Sequence, residues 1–274
     1  ATGRSVVSRA RQWVVRVILA IGAVAMVFPL GILFFSSFKT KADVFTISLA
    51  PDSFTVDSIL EALTPQLLHA LLNSLLVSTV VTVVAMFIHA MAGYALARFE
   101  FPFKRQAFVV ILGSLMIPLT TILVPLYIVV RQLDLTNTLL GLILPLLFNA
   151  YGIFLFRQFY LDFPKELEEA AEIDGTGRFG TFIRIVLPLS RPVIVPLTVA
   201  FFLGTWNNYL WPLVVNQDKE FETVQVYLAN LISGYNTPWN VVISSAAISV
   251  IPVFILFIVL QRYLRDGITT TGIK

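Results

Sequence analysis

Six stretches of this 274-residue chain contain no Asp, Glu, Lys or Arg: 17–38, 62–97, 106–130, 135–156, 192–217 and 223–261. Each is long enough for a helix to cross the hydrocarbon of a bilayer, which takes roughly 17–25 residues. A soluble domain wets its surface with about a quarter of its residues charged, whereas here 13% are charged and 57% are hydrophobic. Lipid is therefore the solvent that most of this chain is built for. A membrane β-barrel would show alternating segments of about ten residues, and these blocks are continuous. The expected fold is all-α and integral to the membrane, one domain over 1–274 with six transmembrane helices at about 14–37, 71–96, 106–130, 138–160, 192–214 and 240–263. The two longest blocks open on semi-polar stretches, ALTPQLLHALLNS and TVQVYLANLISGYNTPWN, and count as one helix each.

Orientation follows from the basic residues. With the N-terminus inside, fifteen Lys and Arg fall on the cytoplasmic side and four, Lys39, Lys41, Arg131 and Lys219, fall outside, a strong positive-inside bias. Both termini are then expected in the cytoplasm. The run 17–38 after Arg4, Arg9, Arg11 and Arg16 is longer than the apolar core of a secretion signal, about 7–15 residues, and is read as a retained anchor. The net charge of +3 is accounted for by this bias, so nucleic acid is not an expected partner. Pro118 and Pro125 fall inside the third expected helix and Pro145 inside the fourth, where neighbouring groups in a bundle re-satisfy the freed carbonyls.

Several chemistries are missing from the sequence. There is no GxxxxGK[ST] phosphate loop, so any ATPase and its ATP and Mg belong to another chain. No cysteine is present, and neither His69 nor His89 has carboxylates at ligand spacing, so no metal or catalytic site is expected. His89 is read as a neutral histidine hydrogen-bonded between helices. The expected helices hold no central acidic residue, which argues against a proton- or sodium-driven carrier.

One polar insert interrupts the apolar pattern. Residues 164–188, PKELEEAAEIDGTGRFGTFIRIVLP, carry Glu166, Glu168, Glu169, Glu172, Asp174, Arg178 and Arg184 and must lie in water or against a partner. Pro164 at the start and Gly175 at the end punctuate a short helix, and a second helix is expected through FGTFIRIV. Amphipathicity alone leaves open whether this is a docking element or a solvated helix at the headgroups.

The spacing of Glu169, Ala170, Ala171, three residues, Gly175, nine residues, Ile185, one residue, Leu187 and Pro188 resembles the EAA motif of ATP-binding-cassette importer permeases. FFSSFKT, NSLLVS, YALARFEFPFK, IPLTTILVPLY, WNNYLWPL and GITTTGIK are similar to the carbohydrate-importing branch of that family, above all to the six-helix subunit of maltose-type heterodimers. The resemblance implies a type I ABC importer permease fold in a bacterial or archaeal cytoplasmic membrane, with a cytoplasmic coupling helix between helices 4 and 5. It implies a second, non-identical permease subunit, a dimer of ATPase subunits and an extracytoplasmic substrate-binding protein as partners, and a sugar as cargo. The coupling contact would fall on Glu169, Ala170, Ala171, Asp174, Gly175, Leu187 and Pro188. The tail 269–274 would reach the ATPase, and the loop around 216–223 the binding protein.

Asn149, Tyr151, Trp206, Asn207, Asn208 and Tyr209 combine amides with aromatic faces, which suits a sugar path. The same residues also suit an interfacial aromatic belt and polar contacts between helices. The alternatives within this reading are a permease for another solute, such as a glycerol phosphodiester or a polyamine, and a non-transporting scaffold that tethers an ATPase.

Overall fold

The computed structural model describes the backbone over 3–46, 54–232 and 237–270 and the side chains over 11–46, 54–232 and 237–263. In chain order the α-helices are α1 (Gly3–Ser36), α2 (Asp57–Ala62), α3 (Pro65–Arg98), α4 (Lys104–Ser114), α5 (Leu119–Gln132), α6 (Leu139–Ile143), α7 (Ala150–Leu161), α8 (Glu166–Ile173), α9 (Arg178–Thr181), α10 (Leu187–Leu189), α11 (Arg191–Trp206), α12 (Leu210–Val215), α13 (Val224–Ile232) and α14 (Trp239–Thr270). Three helices, Arg11–Ser36, Pro65–Arg98 and Trp239–Tyr263, are long and apolar enough to cross a membrane, and three bent pairs bring the total to as many as six if each pair is one span.

The bends have local causes. Between α4 and α5 the direction changes by 104°. Pro118 sits at the N-cap of α5 with ψ 142°; it has no N–H to continue the ladder, and its ring disfavours a helical residue before it. The expected continuous helix over 106–130 is therefore two helices. Over 138–160, α6 runs into a 3₁₀ turn at Leu144–Leu146 that contains Pro145, then turns 44° into α7. Thr138 caps α6 by accepting from the Gly141 N–H, and Asn149 caps α7 by accepting from the Tyr151 N–H. Capping side chains at both places satisfy amides that a break exposes. The expected helix 192–214 is likewise split between Trp206 and Leu210.

The chain forms two compact units, residues 1–67 with 228–250 and residues 68–227 with 251–274. In the first, α1 is exposed over 11–30, and Ser36 at its end is buried. Lys39 is fully buried, and its Nζ donates to the Thr46 carbonyl at 2.5 Å. Ser58 donates to the Lys39 carbonyl at 2.9 Å, and Asn240 donates to Glu61 at 2.9 Å and to Ser58 at 3.3 Å. These buried groups are matched by partners, as their desolvation requires, whereas the buried Ser245 Oγ has none.

The second unit has two apolar cores. One gathers Met86, Ala90 and Tyr94 of α3 with Phe156 and Tyr160 of α7, Phe163, Phe182, Val186 and Leu197. The other gathers Val77 and Val81 of α3, Val130, Leu142, Ile143, Trp211 and Val215. Helices α3 and α7 approach closely at Gly93, where an added Cβ would lie 2.6 Å from Phe156 Cβ and 2.8 Å from the Arg157 amide. The first core packs the polar insert against the bundle.

Candidate functional site

The insert folds as a capped helix followed by an irregular one. Helix α8 opens with Glu166, Glu168 and Glu169 in its first turn, where negative charge is favoured by the helix dipole. It closes in a Schellman arrangement: the Gly175 N–H donates to the Glu172 carbonyl at 3.0 Å, and the Thr176 N–H to the Ala171 carbonyl at 2.9 Å. This geometry requires a left-handed residue at Gly175, whose φ is +79°. The second expected helix begins as α9 but widens into a π turn over Phe182–Val186 before α10 and Pro188.

The inner face of α8 is held by a clamp that spacing did not reveal. Arg98, the last residue of α3, donates from Nε to Glu168 Oε1 at 2.7 Å and from its guanidinium to the Phe163 carbonyl. The Tyr94 hydroxyl donates to Glu168 Oε2 at 2.8 Å. Both carboxylate oxygens are thus occupied, and the ion-pair side chains are only 7% and 16% exposed. Arg178 lies 5.2 Å above the Phe99 ring just after α3. A cavity of about 220 Å³ opens between these groups, lined also by Lys165, Glu169 and Glu172.

With Glu168 pinned, other positions of the insert are presented outward. Glu169, Ala170, Asp174, Gly175 and Pro188 are exposed, Leu187 is half-buried and Ala171 is buried. Ala171 therefore faces the bundle, where its small side chain lets α8 lie close. Ile173 and Phe179, absent from the expected contact set, are 87% and 63% exposed. They add apolar surface to the acidic face.

Among the residues proposed from sequence to line a solute path, Asn149, Tyr151 and Asn208 share a cavity of about 280 Å³ with Phe201, Gly204 and Thr205. Among the described residues no charged side chain lines it. Trp206 is elsewhere, buried and stacked on Phe202 at 5.7 Å. Asn207 accepts from Gln225 at 3.3 Å, and Tyr209 is partly exposed outside this cavity.

His89 contacts two residues of this lining, Asn149 and Phe201. It is fully buried, its Nε2 accepts the Asn149 N–H at 3.0 Å, and its ring lies 5.2 Å from that of Phe201. Gly152 makes room for it, since a Cβ there would fall 2.4 Å from Nδ1. An accepting Nε2 puts the ring proton on Nδ1, so the neutral histidine expected between helices is the form this geometry holds.

On the loop after α12, Asn137 Oδ1 accepts from the Gln217 and Asp218 amides, and Asn73 donates to the Glu220 and Glu222 carbonyls. The expected binding-protein contact thus lies on a tethered segment. Residues 271–274 of the expected tail contact, and the side chains of 264–270, lie outside the described residues.

Broken apolar helices around a polar cavity, with a clamped helix projecting from the bundle, are the makings of a membrane permease that is worked from outside itself. Residues 89–270 match the family described as binding-protein-dependent transport system inner membrane component, and the chain belongs to that family. It is an inner-membrane, multi-pass permease subunit of an ABC importer and not the catalytic chain. The arabinooligosaccharides transport system permease protein AraQ of Halalkalibacterium halodurans is 34% identical over 269 residues, 96% of each chain. The sn-glycerol-3-phosphate transport system permease protein UgpE of Brucella abortus is 34% identical over 266 residues, 93% of this chain and 94% of its own. A crystal structure of a bacterial ABC transporter involved in the import of the acidic polysaccharide alginate contains a chain of the same fold, with a TM-score of 0.83 at 23% identity over 93% of this chain and 96% of that one.

Proposed function

We propose that this subunit carries a neutral, hydroxyl-rich solute, a sugar or oligosaccharide, inward after delivery by an extracytoplasmic binding protein. The observation that carries the choice of solute is the uncharged lining of the cavity around Asn149, Tyr151 and Asn208. Amides and a phenol hydrogen-bond hydroxyls without the desolvation cost of an unmatched charge. A relative named for arabinooligosaccharides supports the same choice. Relatives named for sn-glycerol-3-phosphate favour a phosphorylated solute instead, but a phosphate would meet no cation in this lining.

In this reading the chain works beside a non-identical permease subunit, and a dimer of ATPase subunits binds and hydrolyses MgATP. The outward face of the 164–188 insert, with Glu169, Ala170, Ile173, Asp174 and Gly175, seats on an ATPase subunit. The clamp to α3 and the exposure of that face support this role. The insert and both termini are then cytoplasmic. A Thr176→Cys variant should react with a membrane-impermeant maleimide only after cells are permeabilised; labelling of intact cells would reverse the orientation.

The solute assignment is tested with the complete importer in proteoliposomes. Uptake driven by internal ATP should occur with the cognate binding protein and a neutral oligosaccharide. Preferential uptake of glycerol-3-phosphate would overturn the assignment. ATP hydrolysis without movement of any solute that the binding protein holds would favour the scaffold reading.

A further inference from the structure

The start of α4 and the last turns of α7 border a third cavity, of about 480 Å³. Lys104, Arg105 and Arg157 line it together with Phe103 and Phe108. Glu100 is the carboxylate in its lining, and it pairs with Lys104 at 3.0 Å. Among the described residues neither Arg105 nor Arg157 forms an ion pair or a hydrogen bond to a side chain. The Arg157 guanidinium carbon lies 4.0 Å from the centre of the Phe108 ring, and its buried Nε has no hydrogen-bond partner. A buried guanidinium N–H without an acceptor is costly in a folded protein, and a planar guanidinium is built to take an oxyanion. The N-terminus of α4 has no side-chain cap and adds donors at the same mouth.

Beyond the mouth, Val109 and Val110 of α4 are 59% and 72% exposed, so an apolar face runs away from the cationic pocket. A charged group held at one end and hydrocarbon contact along a helix are the two halves of a lipid. The geometry points to a binding site for an anionic phospholipid, with the headgroup phosphate between Arg105 and Arg157 and an acyl chain along α4. Basic pockets at the membrane interface select anionic headgroups, and each cation near such a surface contributes about fivefold in affinity.

The inference rests on the membrane placement of the family and not on the identity of the solute. The complete importer is placed in nanodiscs of phosphatidylcholine alone or of phosphatidylcholine with phosphatidylglycerol, and lipids retained by the protein are counted by native mass spectrometry. Phosphatidylglycerol should be retained in preference to phosphatidylcholine, and the Arg105→Gln and Arg157→Gln changes together should lower that retention by about 25-fold, one factor of five for each cation. Should the double variant fail to assemble, Arg105→Gln alone, at an exposed side chain, should lower it by about fivefold. Equal retention of the two lipids, or unchanged retention in the variants, overturns the site. So does stabilisation by inorganic phosphate in phosphatidylcholine discs equal to that by phosphatidylglycerol, which would make the ligand a soluble anion. Solute uptake is read separately, so either reading can fall without the other.

Discussion

Replacing Arg98 with methionine should uncouple ATP hydrolysis from solute movement, with uptake by the reconstituted importer falling at least about tenfold. The substitution leaves the Glu168 carboxylate and the Phe163 carbonyl without their shared donor in a site where the ion-pair side chains are 7% and 16% exposed. Breaking a buried ion pair by removing one partner costs about 3–5 kcal/mol, enough to release α8 from the end of α3. The helix would then move without carrying the bundle. Arg98→Lys keeps the charge but loses the fork that reaches both acceptors at once, so it should fall between wild type and methionine. Tyr94→Phe removes one hydrogen bond to the Glu168 carboxylate, worth about 1.5–3 kcal/mol for a charged acceptor, and should be mildest. The measurement is ATP hydrolysed per solute imported across the series. Wild-type coupling in Arg98→Met would show that the clamp has no mechanical role.

Substitutions at Gly175 should weaken association with the ATPase in the order Asn, Ala, Val, Pro. The space around this glycine is open, with no atom within 4 Å of an added Cβ, so crowding does not explain the ranking. The constraint is its φ of +79°. A left-handed conformation costs an ordinary residue about 1–2 kcal/mol; Asn tolerates it best, and a β-branched side chain tolerates it poorly. Proline is locked near −65° and cannot adopt it. It also lacks the N–H that bonds to Glu172. Co-purification of the ATPase with each variant reads the effect. Valine performing as well as glycine would mean that the cap does not shape the docking face.

Much of this site was legible because its signals are local. The EAA spacing, Pro164 and Gly175 mark α8 within a dozen residues, and the uninterrupted apolar blocks mark where helices lie. The clamp was not legible, because Arg98 and Glu168 are 70 positions apart and nothing in YALAR or KELEEA states that they meet. Glu168 reads as one solvated glutamate among four, although it is the one turned inward. The helix breaks were half legible. Pro118 and Pro145 were visible, but a proline within an apolar run is compatible with a kink as well as with a corner, and tertiary packing decides which. Asn149 and Asn208 were singled out for their chemistry, while His89, which holds the Asn149 amide in place, depended on the space left by Gly152 on another helix.

The corner between α4 and α5 constrains the chain's surroundings. At 1.5 Å per residue, α4 and α5 are about 16 and 21 Å long, each short of the roughly 30 Å hydrocarbon core. They meet at 104°, with Leu115, Met116 and Ile117 all exposed, Met116 to 86%. Carbonyls freed at such a corner have no donor among acyl chains, and lipid-facing irregular backbone is excluded from the hydrocarbon layer. The Met116 side of the corner therefore lies against another polypeptide or beside water in the working importer, and it is a place where a crosslinker should find a neighbouring subunit rather than a fatty-acyl tail.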